Sequence, residues 1–218
     1  MLCLYFTICY YYFTGSTEDK KSGMNHFDKL EVNYVQQLVK LWGLGQLFCD
    51  VTLAEESIQN LINSDEQFDL LIIDAFFVDC YLGFAHKFKT PVIQFCGFGG
   101  TEVIGDLVGN PSPYSYVPDP FSEFSDRMTF SERALNALGH IFQKLAKNYF
   151  IEIEDEIMRK HFHDPKMPSI WELEKSTALV LVNHHFSISY PRPLVPNFVQ
   201  VGGLHIKPPK KLPAVSVI

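Results

Sequence analysis

The amino-acid sequence predicts an α/β protein, a doubly wound parallel sheet with helices on both faces. Three observations favour this class. Continuous apolar runs, typical of buried strands, occur at "FDLLII", "TPVIQFC" and "TALVLVN". Stretches with apolar residues three and four positions apart lie between them. Residues 68–96 have the run, helix and run order of a βαβ unit, which closes right-handed with parallel strands.

Composition limits the function classes. The chain has 218 residues, of which 47% are hydrophobic and 20% charged, as in a globular protein with a sizeable core. Its net charge is −7 and its lysine-rich run is confined to "KPPKK", which disfavours a nucleic-acid partner. The cysteines are odd in number and lack C-x-x-C spacing. We interpret them as structural residues without a disulfide framework: Cys3, Cys9, Cys49, Cys80 and Cys96.

The first element is an apolar stretch, "MLCLYFTICYYYF". It lacks the basic start and the cleavage pattern of a secretory signal, and a bilayer crossing takes about 20 apolar residues. A buried strand and a damaged signal peptide both remain open. The polar residues Thr14 to Asn25 predict a loop. The elements expected next are a helix over Leu30–Phe48, a short strand at "CDVTLA", a helix over Ala54–Ser64, a strand at "FDLLII", a helix over Val78–Phe88 and a strand at "TPVIQFC".

The second half begins with a Gly- and Pro-rich loop over Gly97–Phe121. From Thr129 to Phe162 a helical pattern places Phe130, Leu138 and Leu145 on one side, as one helix or as two broken near Gly139 or Tyr149. Strands at "TALVLVN" and "NFVQVGGL" follow. The chain ends in "HIKPPKKLPAVSVI", which is typical of a linker.

Asp74 follows the apolar run "FDLLII". Because a buried carboxylate without a partner costs several kcal/mol, its position needs a reason. Ligands of open parallel sheets bind outside the carboxyl ends of the strands, and the loop from Gly97 to Gly100 follows the next strand at that same edge. We therefore predict that Asp74 faces a cleft and carries chemistry. Capping of the following helix through backbone N–H groups remains open as an alternative.

The glycine loop "GFGGTE" provides a second candidate ligand contact through Gly97, Gly99, Gly100 and Thr101. Glu102 stands where a dinucleotide fingerprint has its third glycine, and the chain has no Walker A motif. Glycines let a backbone approach a ligand closely, although a plain turn explains them equally well.

Aromatic and histidine residues complete the candidates. Phe76, Phe77, Phe95 and Phe98 surround the proposed cleft and predict an apolar ligand pocket, with ordinary core packing as the alternative. The sequence has two histidine pairs, His161 with His163 and His184 with His185. Neither pair has the spacing of a zinc-protease helix, so no metal site is predicted.

Five segments together resemble the amino-terminal, acceptor-binding domain of the UDP-glucuronosyltransferase family, most closely its insect UDP-glycosyltransferase members. They run in order between about Met24 and Pro213: "FDLLIIDAFFVDCYLGFAHKFKTPVI", "VGNPSPYSYVP", "RMTFSERALNAL", "LVLVNHHFSISYPRPLVPN" and "VQVGGLHIKPPKKLP".

The resemblance implies the amino-terminal half of a two-domain GT-B fold. It implies transfer of a sugar from UDP-glucose or UDP-glucuronate to a small lipophilic hydroxylated acceptor, with inversion at the sugar carbon and no other cofactor. A histidine of the family removes the acceptor proton and an aspartate pairs with it; Asp74 matches that aspartate. The carboxylate fixes the imidazole tautomer and stabilises the imidazolium. The resemblance also implies detoxification at the lumenal side of the endoplasmic reticulum membrane and oligomers with full-length relatives.

The chain departs from the family pattern at both ends. We expect residues 1–23 to be an unmatched leader and loop, 24–204 the acceptor-binding domain and 205–218 the start of an interdomain linker. His26 lies at the poorly matched border and is not assigned the base role. No donor-binding segment or membrane helix is recognisable, so the expected protein is a fragment that is inactive alone.

Two other functions remain open. A non-catalytic module derived from the family would bind a lipophile or a full-length partner. A receiver-like phosphoacceptor also has an aspartate at a strand end, but it needs a second acidic cluster for Mg²⁺, for which "TGSTEDKK" is a weak candidate.

Overall fold

A computed structural model describes residues 3–6, 34–204 and 206–207 of the chain. Five parallel strands form one sheet in the order β1-β2-β3-β4-β5. This arrangement confirms the predicted parallel α/β class. The strands are Cys3–Phe6 (β1), Leu70–Asp74 (β2), Val92–Cys96 (β3), Thr177–Val182 (β4) and Phe198–Gln200 (β5).

Helices connect the strands. The α-helices are Tyr34–Leu53 (α1), Glu56–Ile62 (α2), Gly83–Phe88 (α3), Glu102–Asp106 (α4), Phe130–Phe162 (α5) and Ile170–Glu174 (α6). Short 3₁₀ turns cover Asp79–Leu82 and Phe186–Ile188. No helix in these described ranges combines the length and the apolar character that a membrane crossing requires.

The main core lies on one face of the sheet. Side chains alternate along β2, where Leu71 and Ile73 are fully buried while Ile72 and Asp74 are half-buried. Cys49 and Leu53 of α1 and Met158 of α5 share a cluster with the buried positions of β2, so both helices cover that face. Helices on the opposite face remain a prediction. Since Asp74 points to the half-buried side, the strand holds its carboxylate at the boundary between core and solvent.

Helices α1 and α5 are each continuous. "CDVTLA" belongs to the end of α1 and the loop after it, and the prediction of a short strand there is wrong because its buried residues continue the buried stripe of the helix. The long pattern from Thr129 forms a single helix of 33 residues. Thr129 and Glu132 close a capping box at its start, and His163 ends it in the left-handed region at φ 54°. Neither Gly139 nor Tyr149 interrupts it.

A disulfide joins Cys49 in α1 to Cys80 in the 3₁₀ turn after β2, across 31 residues of sequence. The expectation of cysteines without a disulfide is therefore wrong. Sequence spacing does not encode pairing, and these two half-cystines meet only because α1 packs over the end of β2. Cross-linking a loop of this length is worth about 4 kcal/mol in the chain-entropy model. Cys96 is a buried free thiol.

Candidate functional site

Asp74 is the last residue of β2 and pairs with Phe95 of β3. The next residue, Ala75, donates its backbone N–H to the Phe95 carbonyl at 2.7 Å, which extends the ladder beyond the strand. Gly97 follows the end of β3, so Asp74 and the glycine loop lie at the same, carboxyl edge of the sheet. This is the edge at which open parallel sheets bind ligands.

Burial raises the pKa of Asp74 from its ordinary value of 3.8 to about 6. Desolvation is the sole cause of the shift, so within the described residues no cation is close enough to offset it. The alternative role as a helix cap is not supported by the geometry. The turn at Asp79–Leu82 directs the Cys80 N–H to Glu154 of α5 instead, at 3.2 Å. Asp74 is therefore an acid that titrates near neutral pH, with a protonation state that an approaching base would change.

An aromatic cluster stands beside Asp74. The ring centroids of Phe76 and Phe77 are 5.0 Å apart, and Phe98 lies 5.8 Å from Phe76. Phe121, from the long loop, closes the group at 6.0 Å from Phe98 and 6.2 Å from Phe77. The structure thus brings together three of the four predicted aromatic residues, while Phe95 stays in the strand beside Asp74. Half-buried rings at a sheet edge offer an apolar contact surface for a ligand.

Phe77 has an unusual backbone. Its φ of 56° lies in the left-handed region, which a bulky residue adopts at a cost. Its carbonyl lies against Gly45 of α1, where a side chain has no room. Trp42 of the same helix packs edge-on against the Phe77 ring with centroids 4.7 Å apart. The helix therefore fixes the ring that faces the cleft.

A cavity of about 30 Å³ lies beneath Phe77, between the sheet, α1 and α4. Trp42, Gln94 and Lys147 line it together with Asp79. Its volume suits one or two water molecules. The cavity is too small for an organic ligand, and the open side of the aromatic cluster is the surface that such a ligand could contact.

Arg192 holds the glycine loop in place through hydrogen bonds to its backbone carbonyls. The guanidinium donates to the Gly99 carbonyl at 3.0 Å and to the Gly100 carbonyl at 3.2 Å. It also donates to the Ser112 hydroxyl at 3.1 Å and lies over the Phe198 ring. Gly100 has φ 75°, which requires glycine. This arginine fixes the loop, and sequence analysis missed it because nothing local to "SYPRPLVP" indicates a partner 92 residues away.

Thr101 and Glu102 end the loop in structural roles. The Thr101 hydroxyl accepts from the Ile104 N–H and caps α4. Glu102 is buried and contacts Lys144 at 2.7 Å and Nδ1 of His140 at 3.1 Å. The acid that breaks the dinucleotide fingerprint thus attaches the loop to α5 rather than facing a ligand.

A second buried cluster surrounds Lys147 of α5. Its ammonium pairs with Glu174 of α6, and both side chains are buried. Burial raises the pKa of Glu174 to about 7 and also raises the pKa values of Asp79 and Glu154. Burial of three acids around one lysine disfavours their ionised forms, so the pKa of each acid shifts upward. The sulfurs beside Glu154 are those of the Cys49–Cys80 disulfide, so they offer no thiolate to a metal.

The histidines singled out from sequence have different surroundings, and the His184 ring packs against Gly99 of the glycine loop. His161 is buried and sits 2.7 Å from Asp50, and His184 is buried and bonded to Gln200 at 2.7 Å. His185 bonds Ser187 on the surface, while His163 ends α5. His26, the segment "TGSTEDKK" and all of the predicted linker except Ile206 and Lys207 lie outside the described residues.

Comparison with known families decides the relationship. The model of the family described as "UDP-glucoronosyl and UDP-glucosyl transferase" matches residues 14–216. The chain belongs to this family. No solved structure matches it significantly.

Curated members of the UDP-glycosyltransferase family align with most of this chain. It is 33% identical over 192 residues to UDP-glucosyltransferase 2 of Dactylopius coccus, which covers 86% of the chain and 37% of that relative. It is 32% identical over 162 residues to UDP-glucuronosyltransferase 3A1 of Xenopus laevis, covering 74% of the chain and 30% of the relative. The chain therefore spans about a third of the length of these UDP-glycosyltransferases.

Proposed function

We propose that residues 24–204 form the acceptor-binding domain of a UDP-glycosyltransferase. Its co-substrate is UDP-glucose or UDP-glucuronate, and its acceptor is a small lipophilic molecule with a hydroxyl group. Asp74 is the catalytic residue of this domain, pairing with a base that removes the acceptor proton as the sugar carbon inverts. The observation that carries the proposal is Asp74 itself, an acid of raised pKa held at the ligand-binding edge beside half-buried aromatic rings.

The acid suits this role for a physical reason. A carboxylate that is half-buried at the end of a strand attracts a protonated imidazole more strongly than it would in water, because the lower local dielectric strengthens the ion pair. In its ionised form Asp74 would stabilise the imidazolium that forms when the base takes the hydroxyl proton of the acceptor. Family membership supports the same assignment.

The aromatic residues supply the acceptor surface in this proposal. Phe76, Phe77 and Phe98 present ring edges and faces within one cluster, and Phe95 extends the surface along β3. Flat phenols bury well against such rings. Gly97, Gly99, Gly100 and Thr101 form the side of the cleft nearest the donor. Because Arg192 and the α4 cap occupy three of its polar groups, the loop acts through its shape.

The compartment of the chain and its partners follow from the same proposal. The Cys49–Cys80 disulfide suits an oxidising compartment, such as the lumen of the endoplasmic reticulum. A UDP-sugar is bound by the donor half of a complete transferase, and oligomers with full-length relatives would bring such a half alongside. The 218-residue chain by itself then binds acceptors without transferring sugar.

The test uses the 218-residue chain and a fluorescent phenol, 4-methylumbelliferone. We expect saturable binding that weakens about tenfold in Phe98→Ala. Binding should stay unchanged in Phe186→Ala, which removes an exposed aromatic ring outside the cluster. With UDP-glucose or UDP-glucuronate present, we expect no glycoside by mass spectrometry. Glycoside formation would contradict the claim that the 218-residue chain alone transfers no sugar. Absence of phenol binding would contradict the claim that the domain binds acceptors.

A non-catalytic lipophile-binding module is the second candidate. It is favoured by the pKa of Asp74, which responds to burial alone, so no charge or hydrogen bond from the described residues contributes to its shift. Phenol binding that is indifferent to Asp74→Asn supports this candidate over the transferase.

A further inference from the structure

Glu154 of α5 is a carboxylate in the position of a core residue. Ile151 and Met158 lie about one turn before and after it on the same side of the helix, and all three side chains are fully buried. Oε2 of Glu154 accepts the Cys80 N–H at 3.2 Å, whereas Oε1 is buried without a hydrogen-bond partner among the described residues. Buried acceptors are normally paired, so this oxygen is a candidate ligand atom.

The Cys49–Cys80 disulfide lies beside this carboxylate. The Cys49 sulfur is 3.9 Å from Oε2 of Glu154, and both half-cystines are fully buried. The two sulfurs and one carboxylate oxygen all lie within 4.8 Å of one another, and within the described ranges no other three His, Cys, Asp or Glu side chains do so. Joined sulfurs do not bind a metal ion. Reduction of the disulfide would turn them into two thiols beside the carboxylate.

Reduction would leave the three ligands on the same scaffold. Cys49 belongs to α1, Cys80 to the 3₁₀ turn after β2 and Glu154 to α5. The Cα atoms of the two cysteines are 6.1 Å apart, so rotation about the Cα–Cβ bonds separates the sulfurs without moving the backbone. On one zinc ion the sulfurs would lie about 3.8 Å apart, because Zn–S bonds are about 2.3 Å long in a tetrahedral site. One metal ion can therefore reach both.

The charges around the group favour a divalent cation. Asp79 repels both Glu154 and Glu174, and Lys147 attracts all three acids. The three acids thus share this lysine. A doubly charged ion beside Glu154 would offset the remaining negative charge.

The types of ligand select zinc among the common divalent ions. Thiolates are soft ligands, which favour Zn²⁺ over Mg²⁺ and Ca²⁺, and carboxylates also bind zinc. Zinc sites with three protein ligands hold a water molecule at the fourth position. Two cysteines and one glutamate therefore suffice for a four-coordinate ion.

We propose that Cys49, Cys80 and Glu154 bind Zn²⁺ in the reduced chain, so that the metal ion and the disulfide are alternative links between α1 and the turn after β2. The zinc link also includes α5 through Glu154. The proposal does not rest on sugar transfer, since it is tested without donor or acceptor.

The exchange between the two links is a redox reaction. A dithiol reductant supplies two electrons and two protons, which convert the disulfide into two thiols, and the dithiol is itself oxidised to a cyclic disulfide. Zn²⁺ then binds the sulfurs as the two thiol protons leave to solvent. Oxidised glutathione reverses the change: the Cys49–Cys80 bond forms again, two molecules of reduced glutathione are produced, and Zn²⁺ is released.

The first test is a Co²⁺ titration of the 218-residue chain, refolded under a phosphine reductant so that the metal reaches the buried site. We expect one Co²⁺ per chain with the strong visible absorption of tetrahedral thiolate coordination, and Zn²⁺ should displace it. The oxidised chain should show no such absorption, because its sulfurs are joined to each other.

Glu154→Gln tests the carboxylate. The amide oxygen of glutamine can still accept the Cys80 N–H, and circular dichroism reports whether the variant is folded. We expect its dissociation constant for Zn²⁺, measured by competition with Co²⁺, to rise about tenfold or more, since even the loss of a group outside the ligands costs that much. The matched control is Glu156→Gln, at an exposed acid of the same helix, which should bind as the parent chain does.

Cysteine variants locate the metal. Cys49→Ser should abolish the thiolate absorption. Cys96→Ser removes the buried free thiol at the end of β3 and should leave the absorption unchanged.

Two further measurements need no spectrum of the metal. Zn²⁺ should raise the urea midpoint of the reduced chain and not that of the oxidised chain, because an ion that binds only the folded state stabilises it. Zn²⁺ should also slow re-formation of the disulfide by oxidised glutathione by about tenfold or more, since metal-bound sulfurs attack a disulfide less readily than free thiolates.

Four outcomes would overturn the proposal. The first is a reduced chain without thiolate absorption in Co²⁺. The second is equal Zn²⁺ affinity of Glu154→Gln and the parent chain, which would leave the carboxylate without a role. The third is loss of the absorption in Cys96→Ser, and the fourth is equal Zn²⁺ binding by the oxidised chain, because either would place the metal elsewhere.

Discussion

The carbonyl oxygen of Phe77 lies well inside van der Waals contact of the position that a Cβ atom on Gly45 would occupy. Helix α1 can therefore pass this close to the site only because residue 45 has no side chain. The contact connects a helix interior to the strained residue that carries one ring of the aromatic cluster.

Gly45→Ala should destabilise the fold by about 1–3 kcal/mol, since backbone cannot yield as a flexible side chain does. Gly43, two residues away, has nothing within 4 Å of a Cβ. Gly43→Ala should instead stabilise the exposed helix position by about 0.5–1 kcal/mol. Urea denaturation followed by circular dichroism measures both. Equal effects of the two substitutions would show that Phe77 does not constrain α1.

Asp74→Asn should alter how stability depends on pH. The folded pKa is raised from 3.8 to about 6, so the folded state retains the proton longer than the unfolded state does. Stability of the parent chain therefore falls as pH rises from about 4 to 6, and the loss persists above that range. At pH 7.5 the variant should be more stable by about 1–3 kcal/mol, and at pH 3.5 the difference should vanish.

Thermal unfolding across that pH range checks this expectation. Asp65→Asn, at an exposed position, serves as the control and should leave the profile unchanged. A variant no more stable than the parent at pH 7.5 would mean that Asp74 is well solvated or paired. A residue that lowers stability but is present in the natural chain is typical of a group that is kept for function.

Cys49→Ser/Cys80→Ser should lose about 2–4 kcal/mol of stability, since the cross-link limits the unfolded chain. Dithiothreitol should lower the urea midpoint of the parent chain to that of the variant. The variant itself should be insensitive to the reagent. A parent midpoint that dithiothreitol leaves unchanged, together with free thiols titrated at both positions in the unfolded chain, would contradict the disulfide.

Arg192→Lys should loosen the glycine loop. A lysine cannot span two carbonyls and a hydroxyl as the planar guanidinium does. We expect a loss of about 1–2 kcal/mol and faster amide exchange at residues 97–101. Arg127→Lys, at an exposed position, should change neither quantity. Unchanged exchange in Arg192→Lys would show that the loop is rigid without it.

Prediction from sequence was strongest where one local pattern determines the structure. Continuous apolar runs indicated β2, β3 and β4, because a strand buried in a parallel sheet needs apolar residues on both sides. Asp74 could be placed at the carboxyl edge because the strand preceding it was clear. The helical pattern that begins at Thr129 similarly indicated the start of α5, where the structure shows that Thr129 and Glu132 close a capping box.

Features that depend on contacts between residues distant in sequence could not be predicted from local patterns. Arg192 and the Cys49–Cys80 pair act across tens of residues, and Phe121 joins the aromatic cluster from a loop without periodicity. The helical pattern of α5 was visible, yet its orientation was not. Buried partners such as Asp119 and Glu174 reverse the usual placement of an amphipathic helix, and only the fold shows them.

The central claim is that the Asp74 carboxyl faces an acceptor site, and a carbon-13 NMR titration of that carboxyl tests it most directly. We expect a pKa near 6 in the free chain and a shifted titration when 4-methylumbelliferone is bound, with Asp65 as the internal reference. A pKa near 3.8 that bound phenol leaves unchanged would contradict the account.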